Sequence, residues 1–315
     1  MYTLNVPVVI NGNETIQEET VYNKEEIPFT NLMIDSKRSK KRIYRPNHID
    51  WIEYLEIPSA FDIETTNIYK RETEGKRKGK ISKEFRPYAF MYHWQFCIDT
   101  YVVFGRRWEE YISLLTYISN NMNLSYSKRL VVWVHNLSFE FQFMRRFIDS
   151  GKLRILDGFY KEKYTPLKVV LNNGIEFRCS STLSNMTLSK FCENERNVIH
   201  FKLSGDDYDY DKLRTPDTPM LENELAYCYN DVRGLCECIL SRMENDTLAK
   251  MPMTATGYVR RDCRSAMRKH IRNRELFEKM RMTKEQYLMC KDVFRGGDTH
   301  ANAKNKGVLW IAKNN

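Results

Sequence analysis

Phe61-Asp62-Ile63-Glu64-Thr65-Thr66 decides the fold. Apolar and acidic residues alternate here with the period of a strand, so Asp62 and Glu64 leave one face and Phe61 and Ile63 the other. Two carboxylates on neighbouring same-face positions repel unless a cation lies between them. The D-x-E pattern is common, and taken alone it describes an amphipathic strand with a solvated acidic face.

The surrounding chain gives the strand its setting. Strand signals cover 88–96, 100–104, 130–134, 153–159, 168–171 and 176–179, with aromatic and β-branched residues throughout. Helical spacing marks Trp108–Met122, through Tyr111, Leu114, Leu115 and Ile118. A second helix, Ser138–Ile148, places Phe139, Phe143 and Phe147 on one face, and a third, Leu221–Glu244, has an apolar face of Leu225, Leu235, Ile239 and Leu240. Strands and helices alternating in this way predict an α/β fold, a mixed sheet flanked by helices of the RNase H-like kind.

Composition divides the chain into three parts. Residues 1–56 are polar and read as an N-terminal extension, with a strand or two and a flexible tether around Lys37-Arg38-Ser39-Lys40-Lys41-Arg42. Residues 57–245 carry the α/β pattern, and residues 246–315 read as a helical segment. The 315 residues include 42% hydrophobic and 13% aromatic side chains, enough for a substantial core. The net charge of +9 favours a polyanionic partner. Eight scattered cysteines lack zinc-ligand spacing, so reduced thiols in a cytoplasmic protein are expected. No apolar run reaches membrane-spanning length and no signal peptide opens the chain, so no membrane partner is expected.

Three further segments can carry chemistry. His135-Asn136-Leu137-Ser138-Phe139-Glu140 follows a strand and opens a helix. Asn136 can cap that helix and Glu140 sits in its first turn, where the helix dipole favours a carboxylate. Tyr227 and Asp231 are four apart on the long helix and therefore stack on one face. Lys190 lies in the helical stretch Thr187-Leu188-Ser189-Lys190-Phe191-Cys192. Singly, each has an ordinary explanation: capping, dipole stabilisation, a helix-surface pair, a solvated lysine.

In combination and in this order, the segments resemble the exonuclease domain of protein-primed family B DNA polymerases, of the phage and mobile-element type. Phe61–Thr66 resembles the first exonuclease motif (D-x-E), Asn136–Glu140 the second (N-x-x-F-D) and Tyr227–Asp231 the third (Y-x-x-x-D). Ser181-Thr182-Leu183 resembles an S-L element that touches single-stranded DNA. Phe294-Arg295-Gly296-Gly297 resembles the Y-x-G-G segment that joins exonuclease to polymerase. The second motif departs from the pattern, with Glu140 where the family more often has Asp. The palm motifs S-L-Y-P and D-T-D do not occur before Asn315, so polymerase activity is not expected from this chain.

The resemblance implies a 3′–5′ exodeoxyribonuclease acting on single-stranded DNA ends by two-metal hydrolysis. Asp62, Glu64, Glu140 and Asp231 would hold two Mg²⁺ or Mn²⁺ ions, an all-oxygen set suited to hard cations. Asp62 would bridge both ions, Tyr227 would orient the attacking water, and Lys190 would stabilise charge on the phosphate. Thr65, Asn136, Phe139, Ser181, Thr182, Leu183, Arg295, Gly296 and Gly297 would contact DNA. The implied partners are single-stranded DNA and a polymerase portion or terminal protein; the implied setting is a phage- or mobile-element-encoded protein in a host cell. A rival reading is a catalytically weak DNA-binding or protein-interaction module on the same fold.

Overall fold

A computed structural model of the chain describes residues 1–45, 48–83, 88–149, 153–162, 164–205, 212–269 and 271–293. The chain divides into two units between Tyr258 and Val259. The first is a mixed α/β unit built on one large sheet.

The sheet grows from β5 (Ser59–Ile68), the strand of the opening motif. It pairs antiparallel with β6 (Tyr88–Ile98), which pairs antiparallel with β7 (Tyr101–Gly105). On its other side β5 runs parallel to β8 (Lys128–Val134), itself parallel to β11 (Ile175–Cys179). This central order, β7-β6-β5-β8-β11, is the mixed arrangement expected from the sequence. The antiparallel strands β10 (Thr165–Leu171) and β9 (Ile155–Glu162) extend one edge.

The N-terminal residues supply more structure than their polarity suggests. β1 (Tyr2–Ile10) and β2 (Asn13–Val21) form a hairpin that joins the sheet beside β7. The basic cluster around Lys40, expected to be a tether, instead forms β3 (Arg38–Arg45), paired along its length with β4 (His48–Leu55), which joins β8. Charged residues on a strand hide its partner-seeking backbone from a composition reading, because the side chains can point to water while the ladder forms.

Helices cover both faces. α1 (Phe29–Asp35), α2 (Trp108–Asn121) and α3 (Leu137–Asp149) pack on one side, over Phe61, Ile63, Leu130, Val132 and Val134. α4 (Ser180–Ser184), α5 (Leu188–Asn194) and the long α6 (Glu222–Met243) pack on the other, over Ala60, Val131 and Trp133. Burial on both faces explains why Leu130–Val134 of β8 reads as an unbroken apolar run. Strand alternation then turns Asp62 and Glu64, like Ala60, toward α6.

Two helix faces differ from expectation. The buried stripe of α3 is Leu137, Phe141, Met144 and Ile148, and Phe139 and Phe147 are exposed. The spacing 137, 141, 144, 148 is as helical as 139, 143, 147, and the three phenylalanines outweighed it in the sequence reading. On α6, Leu235 and Ile239 are buried as expected, whereas Leu240 is exposed. The second unit holds α7 (Ala255–Arg268, which starts in the first unit), α8 (Ile271–Lys279) and α9 (Lys284–Val293). No helix among the described residues is long and apolar enough to cross a membrane.

A buried ion cluster ties β8 to β11. Glu176, fully buried, accepts from Arg129 Nη1 at 2.6 Å and Arg178 Nε at 2.7 Å, and the Tyr54 hydroxyl donates to it at 3.3 Å. The two guanidiniums hold the Glu176 carboxyl down at about 2 against the upward pull of burial. Arg178 also donates to the Leu248 carbonyl at 2.7 Å, anchoring the chain that follows α6. Glu176→Leu strands two buried guanidiniums, so it should lower stability by about 3–5 kcal/mol. Urea unfolding measures this; a change below about 1 kcal/mol would show that water reaches the cluster.

Candidate metal centre

Three of the expected acids meet. One carboxylate oxygen from each of Asp62, Glu64 and Asp231 lies within 4.8 Å of the others. β5 supplies the first two from one strand face, and α6 crosses that face to bring Asp231. A register shift between Glu64 and Thr65 interrupts the pairing of β5 and β6 just beyond the acids, after which the ladder resumes.

Glu140, in the first turn of α3, reaches the same place. It is 3% exposed, and its carboxyl hydrogen-bonds that of Asp62. Burial and the neighbouring Asp62 charge push the Glu140 carboxyl well up. The chain enters α3 through Asn136 at φ +87°, a left-handed conformation that asparagine adopts more readily than most residues. His135 beside it contacts Ser180 Oγ at 3.0 Å, and burial lowers its imidazole to about 4, so it is neutral.

Every acid of the group is shifted the same way. Burial raises Asp62, and it raises Glu64 well above its usual range, with Asp62 and Asp231 adding repulsion. Burial raises Asp231 to about 7 even though the Lys202 ammonium sits 2.6 Å from its Oδ2. The Cys228 thiol, 3.9 Å from Glu64, is held protonated by burial and the surrounding carboxylates.

Lys202 is the residue the sequence reading missed. The structure puts Lys190, expected at the site, on α5 as an exposed side chain. The cation that meets the acids is Lys202, whose Nζ also lies 4.6 Å from the centre of the Tyr227 ring and hydrogen-bonds its hydroxyl. Its segment has no regular secondary structure but is fastened to α6: Glu237 accepts from the N–H groups of Ile199 and His200, and Asn230 Nδ2 donates to the Phe201 carbonyl. Gly234 allows this close approach, since a methyl group there would overlap the His200 carbonyl oxygen. The one hint in the sequence is a single lysine between Phe201 and Leu203.

The expected DNA contacts differ in their exposure. Phe139 is 42% exposed, its ring centroid 5.1 Å from that of Phe143, next to buried Glu140. Asn136 is exposed and Thr65 half-buried. Ser181 and Thr182 are half-buried, Thr182 donating to the Met253 carbonyl at 2.9 Å, while Leu183 is fully buried in the core. Arg295, Gly296 and Gly297 lie outside the described residues. The basic loop after β5 closes on itself through Glu72 and Lys80 and exposes Lys76, Lys78 and Lys80.

The donor set fits divalent cations. It is all oxygen, and two buried carboxylate oxygens, Glu140 Oε2 and Asp231 Oδ1, have no hydrogen-bond partner.

No protein-family model matches the chain, and no curated protein matches it. Two solved structures of Phi29 DNA polymerase are similar to it. One is the ternary complex with primer-template DNA and incoming nucleotide, at 13% identity and a TM-score of 0.40. The other is the post-translocation binary complex with primer-template DNA, at 11% identity and a TM-score of 0.45. Each match covers 62% of this chain and 32% of the polymerase chain, about a third of the latter's length.

The raised acids set a pH dependence with a definite sign. A carboxyl whose folded value exceeds its unfolded value stabilises the fold while protonated, and that contribution disappears as pH rises through the folded value, about 7 for Asp231. The metal-free protein should therefore melt at a lower temperature at about pH 8 than at about pH 5.5, and Mg²⁺ or Mn²⁺ should restore more stability at the higher pH. Thermal melts in EDTA and in metal check this; equal melting temperatures at both pH values would mean that the acids are not buried together.

Proposed function

We propose that the chain is a metal-dependent nuclease that hydrolyses phosphodiester bonds at the 3′ ends of single-stranded DNA. The observation that carries the proposal is the convergence of Asp62, Glu64 and Asp231 within 4.8 Å, with Lys202 against Asp231. Mutual repulsion among buried acids makes such a cluster unfavourable for stability alone, so a function that uses divalent cations is its best explanation.

Asp62, Glu64 and Asp231 would hold the ions, with Glu140 completing the set. Bound there, divalent ions supply Lewis-acid activation of water and neutralisation of phosphate charge. The protein's own groups do the rest. The Lys202 ammonium stays protonated and places a fixed positive charge where a cleaved phosphate gathers negative charge. The Tyr227 hydroxyl, one turn from Asp231 and beside Lys202, would orient a water molecule. Phe139 offers an exposed ring on which a terminal base can stack. The exposed lysines of the loop after β5 add phosphate contacts that need no particular sequence. The preference for DNA, the 3′–5′ polarity and the link to a polymerase portion or terminal protein rest on the resemblance of the motifs.

Digestion of end-labelled single-stranded DNA tests the proposal. Cleavage should require Mg²⁺ or Mn²⁺ and stop in EDTA. Asp62→Ala and Asp231→Ala should each lose several orders of magnitude in rate, on the scale of losing a central catalytic group. Lys202→Ala should lose about 100-fold or more, and Lys190→Ala should stay near the parental rate. Undiminished digestion by the Asp62 or Asp231 variant would sink the metal-centre assignment, and equal rates for the two lysine variants would remove the role of Lys202.

A further inference from the structure

Gln95 sits directly opposite Asp62 on β6, and His93 opposite Glu64. Gln95 is fully buried and His93 is 1% exposed. The amide nitrogen of Gln95 donates to Asp62 Oδ2 at 2.9 Å and to Glu64 Oε1 at 3.3 Å. Its carbonyl oxygen lies 3.0 Å from His93 Nδ1. Because both amide hydrogens face carboxylates, that carbonyl oxygen accepts and His93 Nδ1 carries the donated proton. The opposite amide orientation would aim a carbonyl oxygen at two carboxylates.

We infer that Gln95 and His93 form a positioning pair that orients Asp62 and Glu64 toward a divalent cation. The inference rests on the reading of these acids as metal ligands. His93 fixes which way the Gln95 amide faces, and the amide occupies one lone-pair direction on each acid, leaving others for the ion. Neutrality matters at this place. Burial lowers the His93 imidazole to about 3, so it brings no charge that would compete with the metal. Its ring is fixed edge-on against Phe104 at 4.9 Å, which limits its rotation. A lysine or arginine in place of Gln95 could pair with the acids equally well, but its charge would repel the cation. Groups that hydrogen-bond metal ligands from behind commonly set affinity by restricting their orientation.

Calorimetric titration of the full chain with Mn²⁺ tests the inference, with the melting temperature of the metal-free protein as the fold control. Gln95→Met preserves side-chain volume and removes the donor. Its Mn²⁺ affinity should fall about 10- to 100-fold. His93→Phe keeps the amide but frees it to turn, and should weaken binding in the same direction by a smaller factor. Asp62→Ala is the reference and should abolish binding. A Gln95→Met protein that binds Mn²⁺ like the parent, whatever its melting temperature, overturns the inference and leaves the metal centre standing, provided Asp62→Ala does not bind. Parental binding by Asp62→Ala overturns the metal centre and the inference with it. If Gln95→Met does not fold, His93→Phe decides: weakened binding at an unchanged melting temperature supports the pair, and parental affinity overturns it.

Discussion

Repulsion among four clustered carboxyls, three of them buried and Asp62 half-buried, is the constraint around which this molecule is arranged. Asp62, Glu64, Glu140 and Asp231 come from three elements, and burial raises each of them. The surrounding protein relieves the repulsion in three ways. Lys202 supplies one full positive charge, Gln95 supplies neutral hydrogen bonds to two of the acids, and Glu140 shares a hydrogen bond with Asp62. Such partial relief fits a site whose remaining deficit is made good by bound cations.

The scaffold makes the convergence rigid. β5 is central, with a neighbour on each side, so its two acids cannot drift apart along the strand. α6 is fixed over the sheet at several points. Asn230 donates to the Pro7 carbonyl of β1 at 2.9 Å, Tyr229 donates to Glu19 of β2 at 2.9 Å, and Glu237 receives His200 Nδ1 at 2.7 Å. The N-terminal hairpin thus helps to hold the helix that carries Asp231 and the segment that carries Lys202. A polar stretch with no motif of its own thereby helps to position residues far along the chain.

The glutamate at 140 has a physical consequence. With a longer side chain than aspartate, it reaches from the start of α3 to the Asp62 carboxyl itself. Burial and the neighbouring Asp62 charge push its carboxyl well up.

Local pattern was enough to read the central strands, the three main helices, the acids Asp62, Glu64, Glu140 and Asp231 on their own elements, and Tyr227 as the helix neighbour of Asp231. Period-2 alternation and helical spacing are properties of adjacent residues, so they are written directly in the sequence. The strand nature of the basic stretch around Lys40 was not legible, since only pairing with β4 completes its backbone hydrogen bonds. Nor was the buried face of α3, where two stripes competed and the shape of the sheet beneath chose Leu137, Phe141, Met144 and Ile148. Lys202 and Gln95 depended on the fold entirely: one lies on a segment without periodicity, the other on a neighbouring strand, and each meets the acids only through contacts between residues distant in the chain. The sequence by itself determined which elements form and which acids they carry; the tertiary structure decided which cation and which amide face those acids, because electrostatic partners are selected by proximity in space and leave no periodic trace along the chain.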